Sequence, residues 1–116
     1  MLFRSGGVRS GTDAARLIAL GANAVVYGVA AALALGGEIG QSQIEWRSDR
    51  APGERTDGLT SILNAHAGEA SMMARCTGKT CLHNLEPEDL RSVTLATSAA
   101  TNIPVPGHNV TRARLL

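Results

Sequence analysis

An α/β fold is what the first 37 residues of this chain predict, and three observations carry the prediction. Short apolar runs with β-branched members alternate with segments of helical apolar spacing. Glycines stand where each strand would hand over to a helix. Two such strand–glycine–helix junctions recur about 21 residues apart, at Gly7 and Gly28.

Residues 1–11 read as the end of a strand followed by a glycine-rich turn, with Gly6, Gly7 and Gly11 inside six positions. Thr12 is expected to cap the following helix, with Asp13 in its first turn complementing the helix N-terminus. Ala14, Ala15, Leu17, Ile18 and Ala19 form its apolar face, and Gly21 suits the position just past its end. Residues 24–27, bounded by Asn23 and Gly28, read as a buried strand. Residues 30–35 read as a second apolar helix that Gly36 and Gly37 stop.

Residues 38–58 are polar, charged and broken by Pro52 and several glycines, and are expected to form a loop or linker. Residues 59–103 read as a helical segment. One helix covers 59–76, with Leu59, Ile62, Leu63, Ala67, Ala70, Met73 and Ala74 at largely helical spacing. A second begins at Pro87, with Glu88 and Asp89 in its first turn. Leu90, Val93, Thr94 and Thr97 lie along one face, and Asn102 and Pro104 close it. Residues 104–116 are an unpatterned tail.

Composition sets limits. The chain has 116 residues, enough for one domain. It has 44% apolar residues but one Phe, one Tyr and one Trp, so any core is built from Ala, Val and Leu and gains little area per residue. The net charge of +1, without a long charge run, gives no footprint for nucleic acid. Two cysteines make no disulfide framework, and a cytoplasmic location is expected. No signal-peptide pattern is visible at the start. Residues 17–37 carry no charge over 21 positions, which is long enough to span a bilayer, but Gly21, Asn23 and Gly28 punctuate the run.

The sharpest constellation is SGGVRSGTD, from Ser5 to Asp13. Glycines after a strand let backbone N–H groups approach an anion without a Cβ in the way. The helix that follows adds unpaired N–H donors and a positive dipole end, and Arg9 adds a cationic contact. Gly28 and Val29 repeat the arrangement one unit later. In (β/α)₈ barrels the phosphate site is frequently built from the loops after strands seven and eight. The two strands here therefore fit the last two βα units of such a barrel. A whole barrel takes roughly 250 residues, so this would be an incomplete one.

The segment SGGVRSGTDAARLIALGANAVVYGVAAALALG resembles the flavin-phosphate segment of the FMN domain in the glutamate synthase family. It is similar, more distantly, to FMN-dependent 2-hydroxy-acid dehydrogenases, and Ser5 in place of an acidic residue favours the first branch. A second stretch, ARCTGKTCLHNLEPEDL, is similar to the C-terminal part of glutamate synthase-like proteins. The resemblance implies the C-terminal portion of a TIM barrel plus C-terminal helices. It implies FMN held at its phosphate by Ser5, Gly6, Gly7 and Arg9 on one side and Gly28 and Val29 on the other. The chemistry implied is reductive amino transfer to 2-oxoglutarate. An iron–sulfur cluster is not expected, because Cys76 and Cys81 lack the third cysteine, which family spacing would put near Ala70. Zinc is equally unsupported by Cys76, Cys81 and His83. His66, His83 and His108 have no matched nucleophile, and no catalytic residue is assigned.

Three functions compete. The chain is part of an FMN-dependent glutamate synthase-type oxidoreductase, inactive by itself and completed by the rest of the barrel or other copies. Alternatively it is a non-catalytic remnant of that ancestry, since two strands cannot close a barrel. The third reading is a small membrane-associated protein that uses residues 17–37.

Overall fold

The computed structural model describes residues 1–46 and 49–107. Strand β1 (Phe3–Ser5) leads into helix α1 (Gly11–Ala19), strand β2 (Ala24–Val26) and helix α2 (Val29–Ala34). Strands β3 (Gly37–Ile39) and β4 (Ile44–Trp46) follow, then the long helix α3 (Pro52–Cys76). Single 3₁₀ turns at Leu82–Asn84 and Pro87–Asp89 precede a last helix, α4 (Leu95–Thr101). β1 and β2 pair in parallel, Phe3 with Ala24 and Ser5 with Val26, around the crossover helix α1. β3 and β4 form a separate antiparallel hairpin. The described residues thus form a small α/β unit of two two-stranded sheets, with no closed barrel.

The first 37 residues adopt the expected order, with one change at the start of α1. Ser10, in extended conformation, is the N-cap, and its Oγ accepts the Asp13 N–H at 3.2 Å. Thr12 lies inside the helix with its hydroxyl turned to Glu69 of α3. Residues 17–37 are divided among α1, β2, α2 and the start of β3. Among the described residues no helix is long and apolar enough to cross a membrane.

Two expectations need correction. The stretch 38–58, read as a polar loop, contains the β3–β4 hairpin and the opening turns of α3, which starts at Pro52 rather than near Leu59. Those turns are mostly exposed, so they need no apolar stripe, and Pro52 suits the first helical turn. The helix expected from Pro87 to about residue 101 is broken. Only one 3₁₀ turn forms at Pro87, Leu90 is extended, and a new helix is capped by Thr94 Oγ1, which accepts the Thr97 N–H at 3.1 Å. Ser92 is pulled out of helical pairing by the Pro104 carbonyl at 2.9 Å. Val93, 89% exposed, offers no buried face to hold the longer helix together. Asn102, at φ 59°, ends α4 as expected.

The core lies where α1 crosses α3. It consists of Ala15, Ala19, Ala70, Ala74 and Leu85, with Met73, Leu82 and Leu90 against it. Small side chains bring the two backbones together. A Cβ on Gly11 would overlap the His66 carbonyl and stand 2.7 Å from the Ala70 nitrogen. The same device recurs at Gly58, where a Cβ would lie 2.6 Å from the Ala34 carbonyl of α2. The radius of gyration is 17.5 Å, against about 13 Å for a compact chain of this length. The long α3 sets the extension, not a thick core.

Candidate functional site: the carboxyl edge of the parallel pair

Because Ser5 pairs with Val26 in parallel, both strands end at the same edge, and the turns at Gly6–Gly7 and Tyr27–Gly28 leave it as neighbours. Gly6 and Gly7 have φ of 90° and 68°, a conformation that favours glycine. Nothing lies within 4 Å of where their side chains would start, so this backbone faces open space. Ser5, Gly28 and Val29 are also exposed, and Gly28 caps α2 without a side-chain contact. A shallow depression of ≈ 180 Å³ beside Gly6 and Gly7 is lined by Val8, Asp13, Arg16 and Leu17. Gly28 and Val29 do not line it, so the two turns share an edge but not that depression.

Arg9 points outward, its side chain 85% exposed. Its N–H donates to Asp13 Oδ2 at 3.2 Å and its Nε lies 3.5 Å from the same oxygen. Asp13 Oδ1 also faces Arg16 Nη1 at 3.5 Å. Asp13 therefore engages both arginines at the turn.

Three residues that sequence reasoning did not select converge behind this turn. Glu69, half-buried on α3, accepts the Gly11 N–H at 2.9 Å through Oε2 and the Thr12 hydroxyl through Oε1. The Thr12 hydroxyl above all, then the Gly11 N–H, holds this carboxyl below the usual carboxylate range. Tyr27 donates its hydroxyl to the Ser10 carbonyl at 3.5 Å, and its ring centroid lies 5.2 Å from that of His66, tilted by 34°. Partial burial, with Glu69 and Asp13 nearby, raises the Tyr27 phenol above its ordinary value. His66 is buried, and its Nδ1 has no hydrogen-bond partner among the described residues. The available signal was the spacing of His66 and Glu69, three residues apart on one helix face.

The second motif docks onto the first. His83 Nε2 lies 3.3 Å from the Asn23 carbonyl, just before β2, and Asn23 Oδ1 accepts the Leu2 N–H at 2.7 Å. Lys79 Nζ bridges Glu86 Oε2 at 3.1 Å and Asp89 Oδ2 at 3.6 Å. Glu86 first, and Asp89 with it, raises the Lys79 ammonium above its usual value. Cys76 and Cys81 are free and exposed, while Ala70 is buried in the helix crossing. The described residues hold no group of three or more His, Cys, Asp or Glu placed to share a metal ion. His108 and the tail beyond Gly107 lie outside the described residues.

With this geometry in place, one similarity stands out. A glutamate synthase large subunit-like protein of Rhizobium meliloti (strain 1021) is 34% identical over 135 residues. The match takes in 91% of this chain but only 30% of the relative, so the chain is similar to part of such a protein. The aligned stretch is longer than the chain, so the relative carries residues within it that this chain lacks. No protein-family model matches, and no solved structure matches significantly.

Proposed function

We propose that this chain is a piece of an FMN-dependent oxidoreductase of the glutamate synthase type, the C-terminal portion of its barrel, and that its contribution is the grip on the FMN phosphate. The observation that carries the reading is the parallel register of Ser5 with Val26, which brings two glycine turns to one sheet edge. That edge is where open α/β sheets and barrels bind ligands. The similarity to part of a glutamate synthase-like protein supports the same reading.

The residues fit a phosphate at this edge. Gly6 and Gly7 offer unobstructed backbone, and Gly28 and Val29 offer exposed backbone at the adjacent helix start. Arg9 is held to Asp13 only by a surface pair, worth little to the fold, and is available to an anion. Ser5 adds a hydroxyl. In the complete enzyme, FMN would carry the electrons for reductive amino transfer to 2-oxoglutarate. The flavin ring and the substrate would be held by parts of the barrel outside this chain, so the chain alone is inactive. Titration of the full chain with FMN is expected to quench flavin fluorescence saturably, with inorganic phosphate competing and riboflavin failing to bind. Equal binding of riboflavin and FMN, or none of either, refutes the phosphate grip.

A second reading, a non-catalytic remnant of the same ancestry, is favoured by the bare parallel pair. Leu2, Phe3 and Val26 are 41%, 59% and 47% exposed, whereas parallel strands are normally covered on both faces. The rest of the barrel, or further copies of this chain, would supply that cover. A monomer that unfolds cooperatively and saturates with FMN argues against the remnant.

A further inference from the structure

We propose that Glu69 is an internal anion closing the N-terminus of α1, an autoinhibitory contact that an anionic ligand at the Gly6–Gly7 turn must displace. The inference rests on the phosphate reading above and concerns what controls that site.

The donors of the first turn are already committed. The N–H of Gly11 donates to Glu69 Oε2 at 2.9 Å, and Thr12 engages the same carboxylate through its hydroxyl and its backbone. The Asp13 N–H goes to Ser10 Oγ at 3.2 Å, and the Ala14 N–H to the Ser10 carbonyl at 3.3 Å. A helix N-terminus attracts an anion through its unpaired N–H groups and its positive dipole end. Here a carboxylate from the same chain takes that place. The nearby cations are committed too, since Arg9 and Arg16 both face Asp13. An arriving phosphate therefore meets two carboxylates and occupied donors.

Glu69 is also mechanically placed to matter. It lies between His66 and Ala70, whose backbones touch Gly11. Release of its carboxylate frees the α1 N-terminus and loosens the helix crossing in one step. Ligand binding at the turn and docking of α3 at this point are thus opposed, and each weakens the other by the same factor.

The test compares FMN and inorganic phosphate binding by the full wild-type chain and by Glu69→Gln. The glutamine keeps an oxygen for the Gly11 N–H but removes the charge. We expect Glu69→Gln to bind both ligands roughly threefold to tenfold more tightly, the scale of a charge at a helix N-terminus together with its repulsion of the ligand. Equal affinity in the two chains overturns the autoinhibitory contact while leaving the phosphate grip standing. Absence of binding in both overturns the grip, and with it any role for Glu69 in gating it. Should Glu69→Gln fail to fold, the wild type gives the answer through the Glu69 side-chain carbonyl followed by NMR. Saturating phosphate is expected to move its titration back up towards the ordinary value of 4.5. An unchanged titration overturns the proposal.

Discussion

Replacing Gly11 with alanine probes the crossing of α1 and α3 at its tightest point. The added methyl would overlap the His66 carbonyl and stand 2.7 Å from both the Ala70 nitrogen and the Glu69 Cβ. Two of these three neighbours are backbone of a continuous helix and cannot rotate aside. The helices must separate, and the alanine core at Ala15, Ala19, Ala70 and Ala74 opens with them. Overpacking of this kind costs about 1–3 kcal/mol. Alanine regains up to about 1 kcal/mol over glycine in a helix, and less at its first residue. A net loss of about 2 kcal/mol is expected. Urea unfolding followed by far-ultraviolet circular dichroism suits the measurement, because Trp46, the sole tryptophan, is 56% exposed on β4 and is a weak reporter of α1. With a slope of about 1–3 kcal/mol per molar, the midpoint should fall by roughly 1 M. Gly53→Ala is the matched control, since nothing lies within 4 Å of its new methyl, and it should be neutral or stabilising by up to about 1 kcal/mol. A Gly11→Ala midpoint equal to that of wild type would refute the close helix approach.

Further outcomes are expected. The carboxyl of Glu69 titrates below its ordinary value of 4.5 in the folded chain, so its contribution is complete above that pH and is lost as pH falls through the folded value. Urea midpoints measured down this range should drop more steeply for wild type than for Glu69→Gln. Lys79 titrates above 10.5, so its pairing with Glu86 and Asp89 is complete below that pH and is lost as pH rises through the folded value. Lys79→Met should remove that alkaline slope. Ser10→Ala deletes the cap on α1 and should cost about 1 kcal/mol in the same urea assay. Asn23→Ala removes the acceptor of the Leu2 N–H and should cost about 1 kcal/mol, read also as faster hydrogen exchange at Leu2.

The βα grammar of residues 1–37 was legible because its signals are local. Glycine conformation at Gly6, Gly7 and Gly21 and the apolar run at β2 each act within a few residues. The cap of α1 was harder to assign, because Ser10 and Thr12 are both competent. The choice was made by Glu69, 58 residues from Gly11 in the chain, which takes the Thr12 hydroxyl for itself. The start of α3 was hidden because an exposed helical turn carries no apolar period. The break at Leu90–Thr94 was hidden because Pro104, well beyond it, supplies the acceptor that draws Ser92 away. Of the edge site, the glycine turns were visible in the sequence. The cluster of Tyr27, His66 and Glu69 behind them was not, since it joins two elements far apart in the chain.

The two close approaches along α3 have a consequence of their own. The helix meets α2 at Gly58 and α1 between His66 and Ala70. At about 1.5 Å per residue, those points lie roughly 12–18 Å apart on one rigid rod. A rod held at two points cannot shift at one without loading the other. A displacement of Glu69 is therefore felt at Ala34, the last residue of the helix that begins beside Gly28. The two glycine turns touch each other through the sheet, and α3 gives them a second, longer connection, by leverage.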